Sequence, residues 1–275
     1  MLGAIIGDIV GSRFEWDNHK SKEFEFFTPK CAFTDDSVMT IALAEAILES
    51  EPDYEELSVN AVECMQLLGR AHPDRCYGGN FYGWLFEDDP QPYNSFGNGA
   101  AMRVSPAVLA ATSLEEAIAL SAQITAVTHN HPEGLKGAEA TTVAIYMART
   151  GSSITTIKDY ISQNYYAMDF TLAEIRDSYE FTEACSETVP QALEAFFEST
   201  GFEDAIRNAI SIGGDSDTVA AICGSVAGAY YGVPKELAKQ VLPYLSDDLL
   251  EIVAAFMKKF PAAGVVLSTS SRVFH

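Results

Sequence analysis

Positive charge is what this sequence has least of. Seventeen Lys and Arg stand against 39 Asp and Glu in 275 residues, a formal net charge of −22. A field of that sign repels nucleic-acid backbones and anionic membrane surfaces, so neither is expected as a partner. An anionic small molecule would have to be received by local positive elements: metal ions, a few Arg or Lys, or helix N-termini. Cysteine is scarce too, and the five at 31, 64, 76, 185 and 223 include no C-x-x-C pair. An odd, unframed set reads as reduced, buried thiols and points to the cytoplasm. Long apolar runs are missing. The longest uncharged stretch, Thr218 to Pro234, is interrupted by glycine and reads as a buried helix rather than a membrane span. The N-terminal Met1-Leu2-Gly3-Ala4-Ile5-Ile6-Gly7-Asp8 lacks the basic flank and the long apolar core of a signal peptide. No repeat, low-complexity tract or Pro/Gly/Ser linker divides the chain, so a single domain is expected over residues 1–275.

What the sequence does have is helical periodicity. Val38, Ile41, Ala42, Ala46 and Ile47 share one face; Ala117, Ile118, Ser121, Ile124 and Thr125 share another. Leu193, Phe196 and Phe197 repeat the pattern, as do Ala205, Ile206, Ala209 and Ile210. Val219 to Tyr231 is apolar or small all round, which predicts a central helix packed on every side. Only Val265 to Phe274 hints at strand-like alternation. The expectation is an all-α fold, a compact helical bundle. Residues 72–106, rich in Pro, Gly and aromatics, form the one long irregular stretch and read as an active-site wall.

Two acidic clusters carry the chemistry. Thr34-Asp35-Asp36-Ser37 and Gly213-Gly214-Asp215-Ser216-Asp217-Thr218 each precede an apolar helical run. The plain alternative for the first is an N-cap with acidic first-turn residues. The second is harder to explain that way, because it sets carboxylates at the mouth of the most apolar helix, where burial is costly without cations or donors. Hard divalent cations need several carboxylate and hydroxyl oxygens converging from different segments, and two clusters can hold a pair of them. Gly7-Asp8-Ile9-Val10-Gly11-Ser12-Arg13-Phe14-Glu15 repeats the theme, with Glu15 able to act as general base or to bind a metal through water; alternatively Asp8 and Arg13 form an ordinary ion pair. Asn94 to Arg103 is a glycine-rich loop running into a helix, suited to phosphate or to a simple turn. Thr128-His129-Asn130-His131 could be an H-x-H metal pair, but it lacks a third His or Cys partner nearby, so one His as a substrate contact or helix cap is preferred. Cys76 has no evident base beside it and reads as structural.

These motifs in this order resemble the ADP-ribosylglycohydrolase family, from Gly3 to about Pro234. They comprise Gly3-x-x-x-Gly7-Asp8-x-x-Gly11-x-x-x-Glu15, Thr34-Asp35-Asp36-Ser37, Gly97-Asn98-Gly99-Ala100-Ala101-Met102-Arg103, Thr128-His129 and Gly213 to Thr218. Ser37 departs from the Thr of many members. The resemblance implies an all-α fold with a binuclear cleft holding two Mg2+ ions, or Mn2+. It implies Thr34, Asp35 and Asp36 as ligands of one ion and Asp215, Asp217 and Thr218 of the other, with one Asp shared. Glu15 matches the family's mobile acidic residue. Ser95, Phe96, Gly97, Asn98 and Gly99 match the loop meeting diphosphate and adenosine, and His129 a substrate-contacting His.

The activity implied is metal-assisted hydrolysis of the bond between ADP-ribose and an acceptor, with Glu15, or a ligating Asp36 or Asp217, taking the proton of the attacking water. The partner is then an ADP-ribosylated protein or a small ADP-ribosyl molecule. Arginine is the preferred acceptor as the commonest in the family, with serine and O-acetyl-ADP-ribose as alternatives; oligomeric state is not written in the motifs. The competing function is a non-catalytic ADP-ribose-binding or crystallin-like structural member of the same fold, against which the full set of ligands and Glu15 argue. Two other metal-dependent helical classes are excluded: no His is followed by Asp, and Met39 stands where a D-D-x-x-D/E motif needs an acid.

Overall fold

Capping side chains start several of the helices that the periodicity predicts. Thr34, Ser113 and Ser153 each accept a hydrogen bond from a backbone N–H two or three residues on, a cap contributing about 1 kcal/mol. In the computed structural model, which describes residues 1–261, fourteen α-helices follow one another. They are α1 Leu2–Gly11, α2 Asp35–Glu49, α3 Leu57–Ala71, α4 Gly79–Leu85, α5 Ser105–Ala110, α6 Leu114–Ala126 and α7 Pro132–Arg149. Then come α8 Ile154–Asn164, α9 Leu172–Ile175, α10 Cys185–Phe197, α11 Phe202–Ser211, α12 Ser216–Tyr231, α13 Lys235–Val241 and α14 Asp247–Lys259. The described residues form no strand; one isolated antiparallel bridge joins Gly97 to Ala184. The fold is all-α, and no helix among the described residues is long and apolar enough to cross a membrane.

Helix α12 is the axis of the bundle. It is buried from Ser216 through Ala227 and packs against α1, α7, α10 and α11. Gly232, at φ 76°, ends it in a conformation that favours glycine. Helix α1 is buried along its whole length and lies backbone to backbone against α12. A Cβ on Gly3 would stand 2.1 Å from the Gly224 carbonyl oxygen, and one on Gly7 2.0 Å from that of Ala220. One on Gly11 would stand 2.6 Å from Asp217 Cα. The four-residue glycine spacing thus draws the polar end of α1 up to the first turn of α12.

Some expectations needed correction. The irregular stretch 72–106 contains α4, whose Phe81 and Trp84 rings stack at 5.4 Å inside the core. Its glycine-rich loop enters a 3-10 turn at Asn98–Ala100 before reaching α5. Four cysteines are buried, but Cys76 is exposed. The alternating segment Val265 to Phe274 lies outside the described residues.

Candidate active site

Asp8 stands in an otherwise apolar helix, and it organises the first acidic cluster. Its Oδ1 accepts from Thr34 Oγ1 at 2.7 Å, and its Oδ2 from the backbone N–H groups of Thr34 and Ser37, both at 3.1 Å. Ser37 Oγ also donates to Oδ2. The Asp8–Arg13 ion pair considered from sequence is absent: Arg13 donates instead to Thr28 Oγ1 and the Glu25 carbonyl. Burial pushes the Asp8 carboxyl up to about 6 against the pull of these four donors. Thr34 both donates to Asp8 and caps α2 by accepting from the N–H of Asp36.

The two acidic clusters meet across α1. Carboxylate oxygens of Asp8, Asp36 and Asp217 lie within 4.8 Å of one another, and so do those of Glu15, Asp215 and Asp217. Asp217 belongs to both groups. Thr218 Oγ1 donates to Asp36 Oδ2 at 3.0 Å, while Asp36 Oδ1 is buried with no protein partner. Asn98 Nδ2 donates to Asp215 Oδ2 at 2.7 Å. Asp35 lines the cleft beside them but belongs to neither group. No Lys or Arg among the described residues forms an ion pair with any of these carboxylates. Burial first, then mutual repulsion, drives Asp35, Asp36 and Asp217 far above the ordinary carboxylate range. Burial likewise lifts Asp215 to about 6.

Glu15 follows a 3-10 turn at the end of α1 and is 8% exposed. Burial and the charge of Asp217, with a smaller contribution from Asp8, raise it to about 8, and hydrogen bonding to Cys76 and Trp16 opposes the rise. Asn18 ties this segment to the second cluster. Its Nδ2 donates to the carbonyls of Phe14, Glu15 and Gly214, and its Oδ1 accepts from Gly214 N at 2.8 Å. Lys20 adds bonds to the carbonyls of Ile212 and Tyr179. Gly213 and Gly214 both have positive φ, and a Cβ on Gly214 would stand 2.3 Å from the Tyr179 ring. Their turn is therefore available only to glycine.

The other wall is the loop 95–99. Gly97 and Gly99 lie over the His129 ring, where a Cβ on Gly99 would be 3.3 Å from Nε2. Ser95, Gly97, Asn98, Gly99 and His129 line the cleft, but Phe96 points away, 54% exposed, with its ring against His131. His131 caps α7 through Nδ1, and neither His belongs to the carboxylate groups, so there is no H-x-H metal pair. Burial and the nearby Arg103 hold His129 neutral, well below its usual range. Arg103 itself is 1% exposed; it donates to Thr128 Oγ1 at 2.6 Å and leaves Nε buried without a partner. It is the only Lys or Arg among the described residues lining this cleft, whose volume is about 330 Å3.

The sequence offers Asp8 a partner in Arg13, Arg103 no role and Cys76 a structural one, whereas Asp8 joins a carboxylate group and Cys76 lines the cleft beside Glu15. The signal for Asp8 was available, as a lone acid within Leu2 to Gly11. Arg103 offered only its place at the end of a glycine-rich motif.

An all-α bundle with paired acidic clusters around one cleft defines a class of protein. The ADP-ribosylglycohydrolase family profile matches residues 1–264, and the chain belongs to that family of enzymes hydrolysing ADP-ribose glycosidic bonds. It is 25% identical to ADP-ribosylhydrolase ARH3 of Homo sapiens, over 91% of this chain and 90% of that protein. It is 28% identical to ADP-ribosylarginine hydrolase Tri1 of Pseudomonas putida, over 88% of this chain and 72% of that one. A solved structure titled ADP-ribosylglycohydrolase-related protein complex shares the fold, with a TM-score of 0.68 at 23% identity, covering 94% of this chain and 96% of its own.

Proposed function

We propose that this protein releases ADP-ribose by hydrolysing its glycosidic bond to an acceptor, an arginine side chain by preference, and that the reaction needs two divalent cations, Mg2+ or Mn2+. The observation that carries the reading is the pair of buried carboxylate groups sharing Asp217, with Asp36 Oδ1 unpartnered and no Lys or Arg among the described residues paired with them. Oxygen donors so close together and so deeply buried suit hard cations and are costly without them. Asp8, Asp36 and Asp217 would hold one ion, and Asp215 and Asp217 the other, with Glu15 close enough to reach it through a water. Thr34, Asp35 and Thr218, the remaining ligands implied by family resemblance, stand beside them. When bound, such ions fix substrate hydroxyls and lower the pKa of water.

The chain's own groups supply the rest. Glu15, at the edge of the two carboxylate groups and lining the cleft, is the candidate general base that takes the proton of the attacking water; Asp36 and Asp217 are the alternative acceptors. The buried Arg103, the one Lys or Arg among the described residues lining the cleft, offers local positive charge to a diphosphate in a chain of net charge −22, and the loop Ser95 to Gly99 is the wall such a group would meet. Neutral His129 presents Nε2 toward the same loop as a substrate contact. The substrate would be an ADP-ribosylated protein or a small ADP-ribosyl molecule.

The test is ADP-ribose release from ADP-ribosyl-arginine and ADP-ribosyl-serine peptides and from O-acetyl-ADP-ribose, each with Mg2+ and with EDTA. We expect release to disappear with EDTA and in the Asp215→Ala/Asp217→Ala double variant. Binding of ADP-ribose without any release would mark a non-catalytic member.

A further inference from the structure

The largest exposed apolar side chain at the cleft is Trp16, 76% accessible, immediately after Glu15 in sequence. Phe181, 40% accessible and 165 positions away in the chain, stacks on it with ring centroids 5.2 Å apart and planes 21° from parallel. Both residues line the cleft. With Phe181 stacked on it, the indole still keeps about three quarters of its surface accessible. An exposed indole held in place by a second ring is an unusual use of apolar surface, and it calls for an occupant.

The charges nearby narrow the choice. Asp17 follows Trp16, Glu180 precedes Phe181, and all are exposed; Glu183, also exposed, lines the cleft. The cations in reach are committed elsewhere. Lys20 is bound to the carbonyls of Tyr179 and Ile212, and Arg103 is buried beneath the glycine loop. A π face with exposed acids at the neighbouring positions attracts a planar cation and disfavours the diphosphate-bearing end of a nucleotide. A guanidinium is planar, weakly hydrated and permanently charged, so it stacks on indole better than an ammonium does.

We propose that Trp16, backed by Phe181, is the seat of the acceptor's guanidinium, the group from which ADP-ribose is released, and that this pair sets the preference for arginine. The inference rests on the hydrolase reading above and extends it to the leaving-group side of Glu15. A cation–π contact changes an equilibrium roughly two- to fivefold at an exposed site and up to about thirtyfold when desolvated.

Two measurements test it on the full chain with Mg2+ present. In the first, kcat/KM is compared between arginine-linked and serine-linked ADP-ribosyl peptides. The wild-type protein should favour the arginine linkage. That ratio should fall roughly two- to thirtyfold in Trp16→Leu and in Phe181→Ser, and recover in large part in Trp16→Phe, which keeps a ring. In the second, indole fluorescence is followed while methylguanidinium is added. Trp84 is buried, so Trp16 is the one indole open to solvent; a saturable response is expected in wild type, weakened in Phe181→Ser. An unchanged ratio in an active enzyme overturns the seat alone. A fluorescence response to ADP-ribose but not to methylguanidinium also overturns it, by making the pair an adenine platform. Wild-type protein that hydrolyses no ADP-ribosyl substrate instead overturns the hydrolase reading, while its methylguanidinium titration still decides the seat.

Discussion

Glu15 differs from its neighbouring carboxyls in position. It sits at the end of a 3-10 turn, in contact with Cys76 and Trp16, and reaches about 8 because burial and Asp217 both oppose its charge. Replacing it by Gln keeps the shape and removes the exchangeable proton. We expect Glu15→Gln to lower kcat by about 10²–10⁴-fold while ADP-ribose affinity, followed by calorimetry, stays close to wild type. A variant releasing ADP-ribose at the wild-type rate would remove Glu15 from proton transfer. At this scale the sequence was most readable where a carboxylate interrupts or precedes an apolar run, as at Glu15, Asp36, Asp215 and Asp217. It was least readable where a side chain's role depends on what the fold brings beside it. Cys76 gives no local sign that Glu15 stands next to it, and Phe96, placed among the substrate contacts by its motif, turns outward against His131.

The element that makes the site is the contact between α1 and α12. Asp8 and Asp217 share one carboxylate group because the two backbones approach with nothing but hydrogen at Gly3, Gly7 and Gly11 between them. A side chain at Gly7 would press on the carbonyl of Ala220 at 2.0 Å, where no flexible group can yield. Gly7→Val should therefore destabilise by at least about 1–3 kcal/mol, measured by denaturant unfolding, and should weaken Mg2+-dependent stabilisation by parting the two groups. Gly83→Ala is the contrasting change. It lies in a helix with open space around its Cβ position, so it should be neutral or stabilise by up to about 1 kcal/mol. If both variants unfold alike, the close approach is not what holds the site. The glycine spacing and the small, apolar run of α12 announced this contact in the sequence. Helix α4 stayed hidden, since its short aromatic run lies among Pro and Gly and gains its helical order from burying Phe81 and Trp84.

For the whole molecule, these shifts make metal-free stability depend on pH in a definite direction. Asp8, Glu15, Asp36, Asp215 and Asp217 all titrate higher when folded than the ordinary 3.8 to 4.5. Below about pH 4 both states are mostly protonated and the groups make no difference. As pH rises, the unfolded chain releases its protons first, so the folded state is progressively penalised up to and beyond the Glu15 value of about 8. In EDTA the melting temperature should therefore fall between pH 5 and pH 8, and added Mg2+ should raise it more at pH 8, where it displaces fewer protons. General repulsion within a chain of net charge −22 has the same sign, but it acts across the surface and is screened within about 3 Å in 1 M salt. The buried carboxylates are shielded far less. Monovalent salt should thus remove only part of the pH 8 destabilisation, and Mg2+ the rest. If 1 M NaCl alone restored the pH 5 melting temperature, the instability would belong to the surface, and the buried clusters would lose their claim to be cation sites.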